Sequence, residues 1–168
     1  MAKHLIELTV NDQRHSRTVD SALNLVDFLR NEIGLKGTHI GCEHGVCGAC
    51  TVLVDQKTVR GCLMLAVQAN GQHVQTIESI ANADGSLSEI QIKMKEHHGL
   101  QCGFCTPGVV MTIKELMAES KGHVLSEEQV RAALSGNLCR CTGYQGMVDA
   151  ALDLINHQAS EAVKMVIQ

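Results

Sequence analysis

Four cysteines in the first half of the chain have a spacing that is typical of iron–sulfur chemistry. Cys42, Cys47 and Cys50 stand close together, and Cys62 follows after eleven intervening residues. This C-x4-C-x2-C…C order is the ligand pattern of plant-type [2Fe–2S] proteins. Glycines interleaved with these cysteines allow a loop to approach a cluster closely and to direct backbone N–H groups at sulfur. The sequence therefore predicts a first [2Fe–2S] site here.

The second half of the chain holds the other four cysteines in two close pairs. They are Cys102 with Cys105 and, after 33 intervening residues, Cys139 with Cys141. Each pair is predicted to lie at a helix terminus, so that two helix ends converge on one cluster. Phe104 and Tyr144 flank these cysteines and are predicted to shield the cluster from water, which helps to set its potential.

Two other uses of the eight thiols stay open on spacing alone. Structural zinc is the main alternative at both sites, because sets of four thiolates also suit Zn²⁺. A C-x-C pair is, however, unusual for zinc, where two residues generally separate paired ligands. A disulfide framework is the other alternative, although it is typical of shorter, exported chains, and the start MAKHLIELTV lacks the apolar segment of a signal peptide.

The elements of the first half predict a small mixed sheet with one helix across it. Strands are predicted over residues 4–10, after a turn at Asn11-Asp12, on both sides of a turn at Asp55-Gln56-Lys57, and within residues 73–80. The helix is predicted to be capped by Ser21 and to end at Gly34. Its apolar face consists of Leu25, Val26, Leu29 and Ile33.

Beyond a polar linker at residues 81–89, the apolar period becomes helical, and four short helices are predicted to form a bundle. One helix is predicted to have Thr106 as its cap and Pro107 at its first position. Another begins with a capping box made by Ser126 and Gln129.

Composition narrows the classes of function. The chain has 168 residues, 45% of them hydrophobic and 19% charged, as expected for a soluble protein of one domain or two small ones. Because the net charge is −4 and there is no basic block, no nucleic-acid partner is predicted. The sequence has no apolar run long enough for a membrane span, so none is predicted. The predicted location is cytoplasmic. Nucleotide-binding and hydrolase motifs are missing, so no catalytic residue is predicted.

Three segments together resemble a known family. GCEHGVCGACTVLVD with Cys62, QCGFCTPG and SGNLCRCTGY resemble the iron–sulfur subunit of the molybdenum hydroxylases, the family of xanthine dehydrogenase, aldehyde oxidoreductase and carbon monoxide dehydrogenase. The resemblance covers about residues 3–155. It implies an α+β fold, a β-grasp ferredoxin-like domain followed by a four-helix [2Fe–2S]-binding domain. The implied division is 1–80 for the first domain, 81–89 for the linker, 90–157 for the second domain and 158–168 for a C-terminal tail.

The resemblance also implies cofactors and partners. It assigns one [2Fe–2S] cluster to Cys42, Cys47, Cys50 and Cys62, and a second to Cys102, Cys105, Cys139 and Cys141. A large subunit would bind the molybdenum–pterin cofactor and the substrate, and a medium subunit would bind FAD. Gln101 matches a position that contacts the pterin, and Cys141 matches the ligand nearest to it. Electrons would pass from molybdenum through the helical and then the ferredoxin-like cluster towards FAD.

Three hypotheses follow, in different functional classes. The chain is the electron-transfer subunit of a heteromeric molybdenum hydroxylase, a free-standing two-cluster ferredoxin, or a zinc-stabilised interaction module. Gln101 favours the first, because a free carrier has no pterin to contact. The substrate is not predicted, since its pocket would lie on another polypeptide.

Overall fold

A long antiparallel hairpin starts the fold. The structure, a computed structural model, describes the backbone of residues 2–167 and the side chains of residues 2–160. Strands β1 (Lys3–Val10) and β2 (Gln13–Asp20) pair along their whole length. Asn11 and Asp12 connect them with φ values of 48° and 65°, as a two-residue turn of type I′ requires. The predicted first strand and its turn are confirmed.

Three further strands complete a mixed sheet in the order β2-β1-β5-β3-β4. They are β3 (Thr51–Val54), β4 (Lys57–Arg60) and β5 (His73–Gln75). Strand β5 is parallel to β1 and antiparallel to β3. The predicted hairpin is confirmed, but its turn consists of Asp55 and Gln56 alone, because Lys57 already pairs with Val54.

The helix across the sheet begins later than predicted. Helix α1 (Leu25–Asp27) is capped by Asn24, whose Oδ1 accepts the N–H of Asp27 at 2.8 Å. The prediction of Ser21 as the cap was wrong, because the N–H of Ser21 still bonds to the carbonyl of Ala2 beside the sheet. A π-helical turn continues α1 and ends at Gly34, as predicted. Its buried side chains pack on the strands.

Four helices form the second half, as predicted. They are α2 (Glu89–Glu96), α3 (Thr106–Ser120), α4 (Glu127–Leu134) and α5 (Gln145–Ile167). Their apolar side chains share one buried core. Helix α5 runs through most of the predicted tail, whose last residue, Gln168, lies outside the described residues.

The starts of α3 and α4 test two predicted caps. The prediction of Thr106 as the cap of α3 was wrong: Cys105 holds the N-cap position, Thr106 is the first helical residue, and its buried Oγ1 has no partner. Before α4, Ser126 Oγ accepts the N–H of Gln129 at 3.3 Å and Gln129 Oε1 accepts the N–H of Ser126 at 2.8 Å. That capping box is confirmed.

The two halves pack directly on each other. Helix α3 lies against β3, and Leu53 of β3 is buried among the core side chains of the helices. Lys57 adds ion pairs to Glu115 and Glu119 of α3. This packing places the loops that carry the cysteines side by side. Among the described helices, none has the length and apolar character needed to cross a bilayer.

Candidate metal centres

The β3–β4 hairpin brings together the last two cysteines of the first group. Cys50 precedes β3 and Cys62 follows β4, and the N–H of Gly61 donates to the carbonyl of Cys50 at 3.1 Å. The two thiols are hydrogen-bonded to each other. Burial raises the pKa of Cys50 to about 11. This thiol is therefore protonated at neutral pH unless a metal displaces the proton.

The irregular loop before β3 supplies Cys42 and Cys47 and points its backbone at sulfur. The N–H of Cys47 lies 3.3 Å from Cys42 Sγ, and the backbone N–H groups of His44 and Val46 also donate to this atom. These donors lower the pKa of Cys42 to about 6, the Cys47 N–H contributing most. A thiolate is stabilised at this position before any metal binds.

The second group is assembled from the start of α3 and the loop between α4 and α5. Cys102 and Cys105 precede the body of α3, while Cys139 and Cys141 lie in the loop between α4 and α5. Hydrogen bonds join Cys102 to Cys141 and Cys105 to Cys139, so each short motif contributes one member to each pair. Burial raises the pKa of Cys105 to about 12. The two pairs come together as predicted, but Cys139 and Cys141 lie within the α4–α5 loop and not at a helix terminus.

The two groups share an arrangement that fits a two-iron cluster. Each has two thiol pairs, since the thiol of Cys47 also interacts with that of Cys42, and a [2Fe–2S] cluster takes two thiolates on each iron. Structural zinc instead needs four ligands around one ion. All eight cysteines are free thiols, not the disulfide framework of the alternative.

The two aromatic side chains beside the second group have different surroundings. The Tyr144 hydroxyl accepts the N–H of Cys139 at 2.7 Å and so supports the backbone of that loop. Phe104 stacks on His39 of the first half with ring centroids 4.9 Å apart, and its ring is 48% exposed. Shielding from water by Phe104 is therefore incomplete in the chain by itself.

The residues assigned to a pterin contact lie on the exposed side of the second group. Gln101, Cys102 and Cys141 are all exposed, and Cys102 is bonded to Cys141. Leu100 and Leu138 nearby in sequence are 41% and 52% exposed. An open edge of thiols flanked by apolar side chains is typical of a surface that a partner covers.

Spacing of the cysteines did not reveal two polar residues between the groups. Asn137, next to Leu138 and two residues before Cys139, is buried, and Arg60 contacts the carbonyl of Gly136 at 2.6 Å. The only local sign of Asn137 in the sequence is that it is a polar residue shortly before the Cys139–Cys141 pair. Its bonding partners could not be predicted, because they lie up to 89 residues away in sequence.

Comparison with family models divides the chain in two. A 2Fe-2S iron-sulfur cluster binding domain matches residues 8–76, and a second [2Fe-2S] binding domain matches residues 76–152. The two matches cover the two cysteine groups in turn.

Relatives with known names cover nearly the whole chain. The caffeine dehydrogenase subunit gamma of Pseudomonas sp. (strain CBB1) is 54% identical, over 89% of this chain and 90% of its own length. The xanthine dehydrogenase iron-sulfur-binding subunit of Escherichia coli O157:H7 is 40% identical, over 88% and 92%. The chain belongs to the family of iron–sulfur subunits of the molybdenum hydroxylases. The predicted family and fold class are confirmed.

Solved structures of this family superpose closely on the chain. Quinoline 2-oxidoreductase from Pseudomonas putida 86 matches with a TM-score of 0.88 and 42% identity, over 95% of this chain and 97% of that chain. Aldehyde oxidoreductase from Desulfovibrio gigas matches with a TM-score of 0.85 and 37% identity, over 94% of this chain but 17% of its own. An iron–sulfur subunit of this family is an electron-transfer component of an oxidoreductase.

Proposed function

We propose that this chain accepts electrons from a molybdenum–pterin centre on a large subunit. The electrons pass first to a cluster held by its helical domain and then to a cluster held by its ferredoxin-like domain. From there they continue towards FAD on a medium subunit. Residues 90–157 would hold the first acceptor through Cys102, Cys105, Cys139 and Cys141. Residues 1–80 would hold the second through Cys42, Cys47, Cys50 and Cys62. A [2Fe–2S] cluster, when bound, gains and loses one electron at a time. The observation that carries this proposal is that the fold brings the eight thiols together as two groups of four, one within each matched [2Fe–2S] domain.

The residues of the chain prepare these sites before metal binds. Backbone N–H groups stabilise the Cys42 thiolate, and the Thr142 hydroxyl lies 3.2 Å from Cys139 Sγ. Donors of this kind also stabilise negative charge on cluster sulfur and so influence its potential. Proton release from the buried thiols of Cys50 and Cys105 would accompany assembly.

The order of transfer is supported by exposure. Cys102 and Cys141 form the open edge of the second group, whereas none of the four thiols of the first group is fully exposed. A cluster at the open edge would come nearest to a cofactor on another subunit. We place the pterin against Gln101 and Cys141, and we place the complex in the cytoplasm, where free thiols persist.

One measurement tests both cluster assignments together. The dithionite-reduced chain should give two distinct S = 1/2 EPR signals, with about two spins and about four iron atoms per chain. A single signal, or zinc in place of iron at the helical site, would contradict the proposed route. A free-standing ferredoxin would show both signals but would purify as a stable monomer without a large subunit.

The pterin contact has its own test. In the assembled complex, Gln101→Ala should slow electron transfer out of molybdenum while both cluster signals stay at full intensity. Gln13→Ala is the matched control, because Gln13 is also exposed but begins β2 on the sheet. Equal transfer rates in the Gln101→Ala complex and the wild type would refute the contact.

The substrate class is proposed from relatives rather than from this chain. The 54% and 50% identical relatives are named for caffeine and nicotine, and both molecules contain a nitrogen heteroaromatic ring. We propose that the holoenzyme oxidises a substrate of this class. Reduction of the cluster absorbance by purines or pyridines, but not by simple aldehydes, in the purified complex would support it, and the reverse pattern would overturn it.

A further inference from the structure

A single buried amide connects the two cysteine loops. Asn137 is 1% exposed and lies between α4 and Cys139. Its Nδ2 donates to the carbonyl of Gly48 at 3.0 Å and to Thr51 Oγ1 at 3.3 Å. Its Oδ1 accepts the Thr112 hydroxyl of α3 at 2.9 Å. One side chain thus bonds to the loop of the first group and to the helix that follows Cys105 in the second.

Further bonds run parallel to this amide. The N–H of Leu138 donates to the carbonyl of Cys47 at 2.8 Å. Arg60 donates to the carbonyl of Gly136 at 2.6 Å and to Thr51 Oγ1 at 2.5 Å. Asn137 and Leu138 are therefore attached to the first cysteine loop, and Gly136 is attached to Arg60 at the end of β4. The bond between Leu138 and Cys47 brings the two groups close together. Leu138, which bonds to Cys47 of the first group, is directly followed by Cys139 of the second group.

The backbones meet too closely at this point for side chains to intervene. A Cβ atom on Gly48 would lie 2.3 Å from the carbonyl oxygen of Gly136, and one on Gly108 would lie 2.3 Å from the carbonyl oxygen of Gly48. Polar bonds, not an apolar layer, therefore determine the separation of the loops. The amide of Asn137 is buried with bonds of 2.9 to 3.3 Å, and its loss would leave the Gly48 carbonyl with fewer donors.

We propose that Asn137 is a positioning residue that fixes the two cysteine loops against each other and thereby sets the separation and relative orientation of the two clusters. This inference rests on the proposed function, because it requires a cluster on each loop. Neither group takes a ligand from Asn137, so each cluster should still assemble when its amide is removed. The quantity that should change is the coupling between them.

The experiment compares two Asn137 variants within the assembled complex. Asn137→Asp keeps the shape but cannot donate to Gly48, and Asn137→Ala removes all three bonds. Asn156→Ala is the matched control, because Asn156 also bonds across the helical half, accepting the N–H of Leu125 at 3.2 Å, but does not contact a cysteine loop. With both clusters reduced, EPR measures the splitting caused by their spin–spin interaction, and rapid freezing measures electron transfer between them.

We expect both Asn137 variants to keep two signals and the wild-type iron content, with loss of splitting and slower transfer between the clusters. Asn156→Ala should match the wild type. Unchanged splitting and transfer in the Asn137 variants would overturn the inference. If the Asn137 variants lose iron instead, the Thr112→Val variant tests the inference. This variant keeps the bond from Asn137 to Gly48 but removes the bond from Thr112 to the amide. Reduced splitting in Thr112→Val would support the inference, and wild-type splitting would refute it. A wild-type complex without two signals would contradict the proposed function itself.

Discussion

At the scale of single residues, Cys47 contacts both cysteine loops, its own and the one that contains Leu138. Its N–H donates to Cys42 Sγ, its carbonyl accepts the N–H of Leu138, and its thiol belongs to the first group. The first two roles belong to the backbone and do not depend on the side chain. Substitution of the thiol therefore separates ligation from the architecture of the loop.

Cys47→Ser should abolish the EPR signal of the ferredoxin-like cluster and leave the other signal unchanged. The oxygen of serine is a poor replacement for a thiolate on iron, whereas the backbone bonds to Cys42 and Leu138 persist. Quantified EPR of the reduced chain, with iron counted on the same sample, measures this. Cys141→Ser is the reciprocal variant. Simultaneous loss of both signals in either variant would contradict the assignment of one cluster to each domain.

Gly48→Ala should destabilise the chain more than Gly71→Ala does. Both glycines have left-handed φ values, 72° and 79°, so both substitutions incur about 1–2 kcal/mol of backbone strain. Only at Gly48 would the new Cβ also meet a carbonyl oxygen at 2.3 Å, since nothing lies within 4 Å at Gly71. We expect about 1–3 kcal/mol more destabilisation, seen as a Tm lower by several degrees at equal iron content. Equal Tm values for Gly48→Ala and Gly71→Ala would mean that the two loops can move apart without a loss of free energy of unfolding.

The residue scale also shows what the sequence could and could not predict. The grouping of the eight cysteines into two sets could be predicted because their spacing is characteristic and their chemistry is restrictive. Asn137 was not found, because its value depends on Gly48 and Thr51, which lie 89 and 86 residues away. No local pattern encodes which distant carbonyl a buried amide meets.

At the scale of elements, a helix start was predictable where both hydrogen-bonding partners of the cap are close in sequence. The capping box of Ser126 and Gln129 formed because both partners belong to the same turn. Ser21 and Thr106 failed because tertiary contacts decide those positions. The N–H of Ser21 bonds to the carbonyl of Ala2, just before the first strand, and Cys105 of the second cysteine group takes the N-cap position of α3 in place of Thr106.

Ser126→Ala should lower the stability of the chain by about 1 kcal/mol, the usual value of a lost N-cap. Its Oγ accepts the N–H of Gln129 at the start of α4. Ser135→Ala at the other end of the same helix is the control, because that hydroxyl donates only to the carbonyl of Ala132 and is exposed. Thermal unfolding of the three proteins measures the difference. A loss as large in Ser135→Ala would show that the cap is not the cause.

The contact between α2 and α5 should weaken in acid. Hydrogen bonds from His97 and then from Lys93 lower the pKa of Asp153 below its usual value of 3.8. A carboxyl with a lowered folded pKa contributes stability above its unfolded pKa, and this is lost as pH falls through the folded one. Because Asp153 is 39% exposed, we expect only about 0.2–1 kcal/mol. Asp153→Asn should therefore reduce the fall in Tm below about pH 4; an identical acid profile would exclude this contribution.

At the scale of the whole molecule, charge and exposure both favour a covered chain. Two oxidised clusters of about −2 each would take the formal net charge from −4 to about −8. Leu100, Phe104 and Leu138, each 41% to 52% exposed, lie in the motifs of the second cysteine group. A partner that covers these apolar side chains gains from their burial, and it must also supply donors or opposite charge to the anionic edge.

Air exposure should therefore remove the helical cluster first from the isolated subunit. Cys102 and Cys141 are exposed, whereas the thiols of the first group are half-buried or buried. Oxygen and water reach the open edge most easily, and assembly with the large subunit should close it. The measurement follows both EPR signals with time in air, for the subunit alone and for the complex. Faster decay of the helical signal in the free subunit, and matched slow decay in the complex, is the expected result. Equal decay rates in the free subunit, or no protection in the complex, would mean that the open edge does not face the partner.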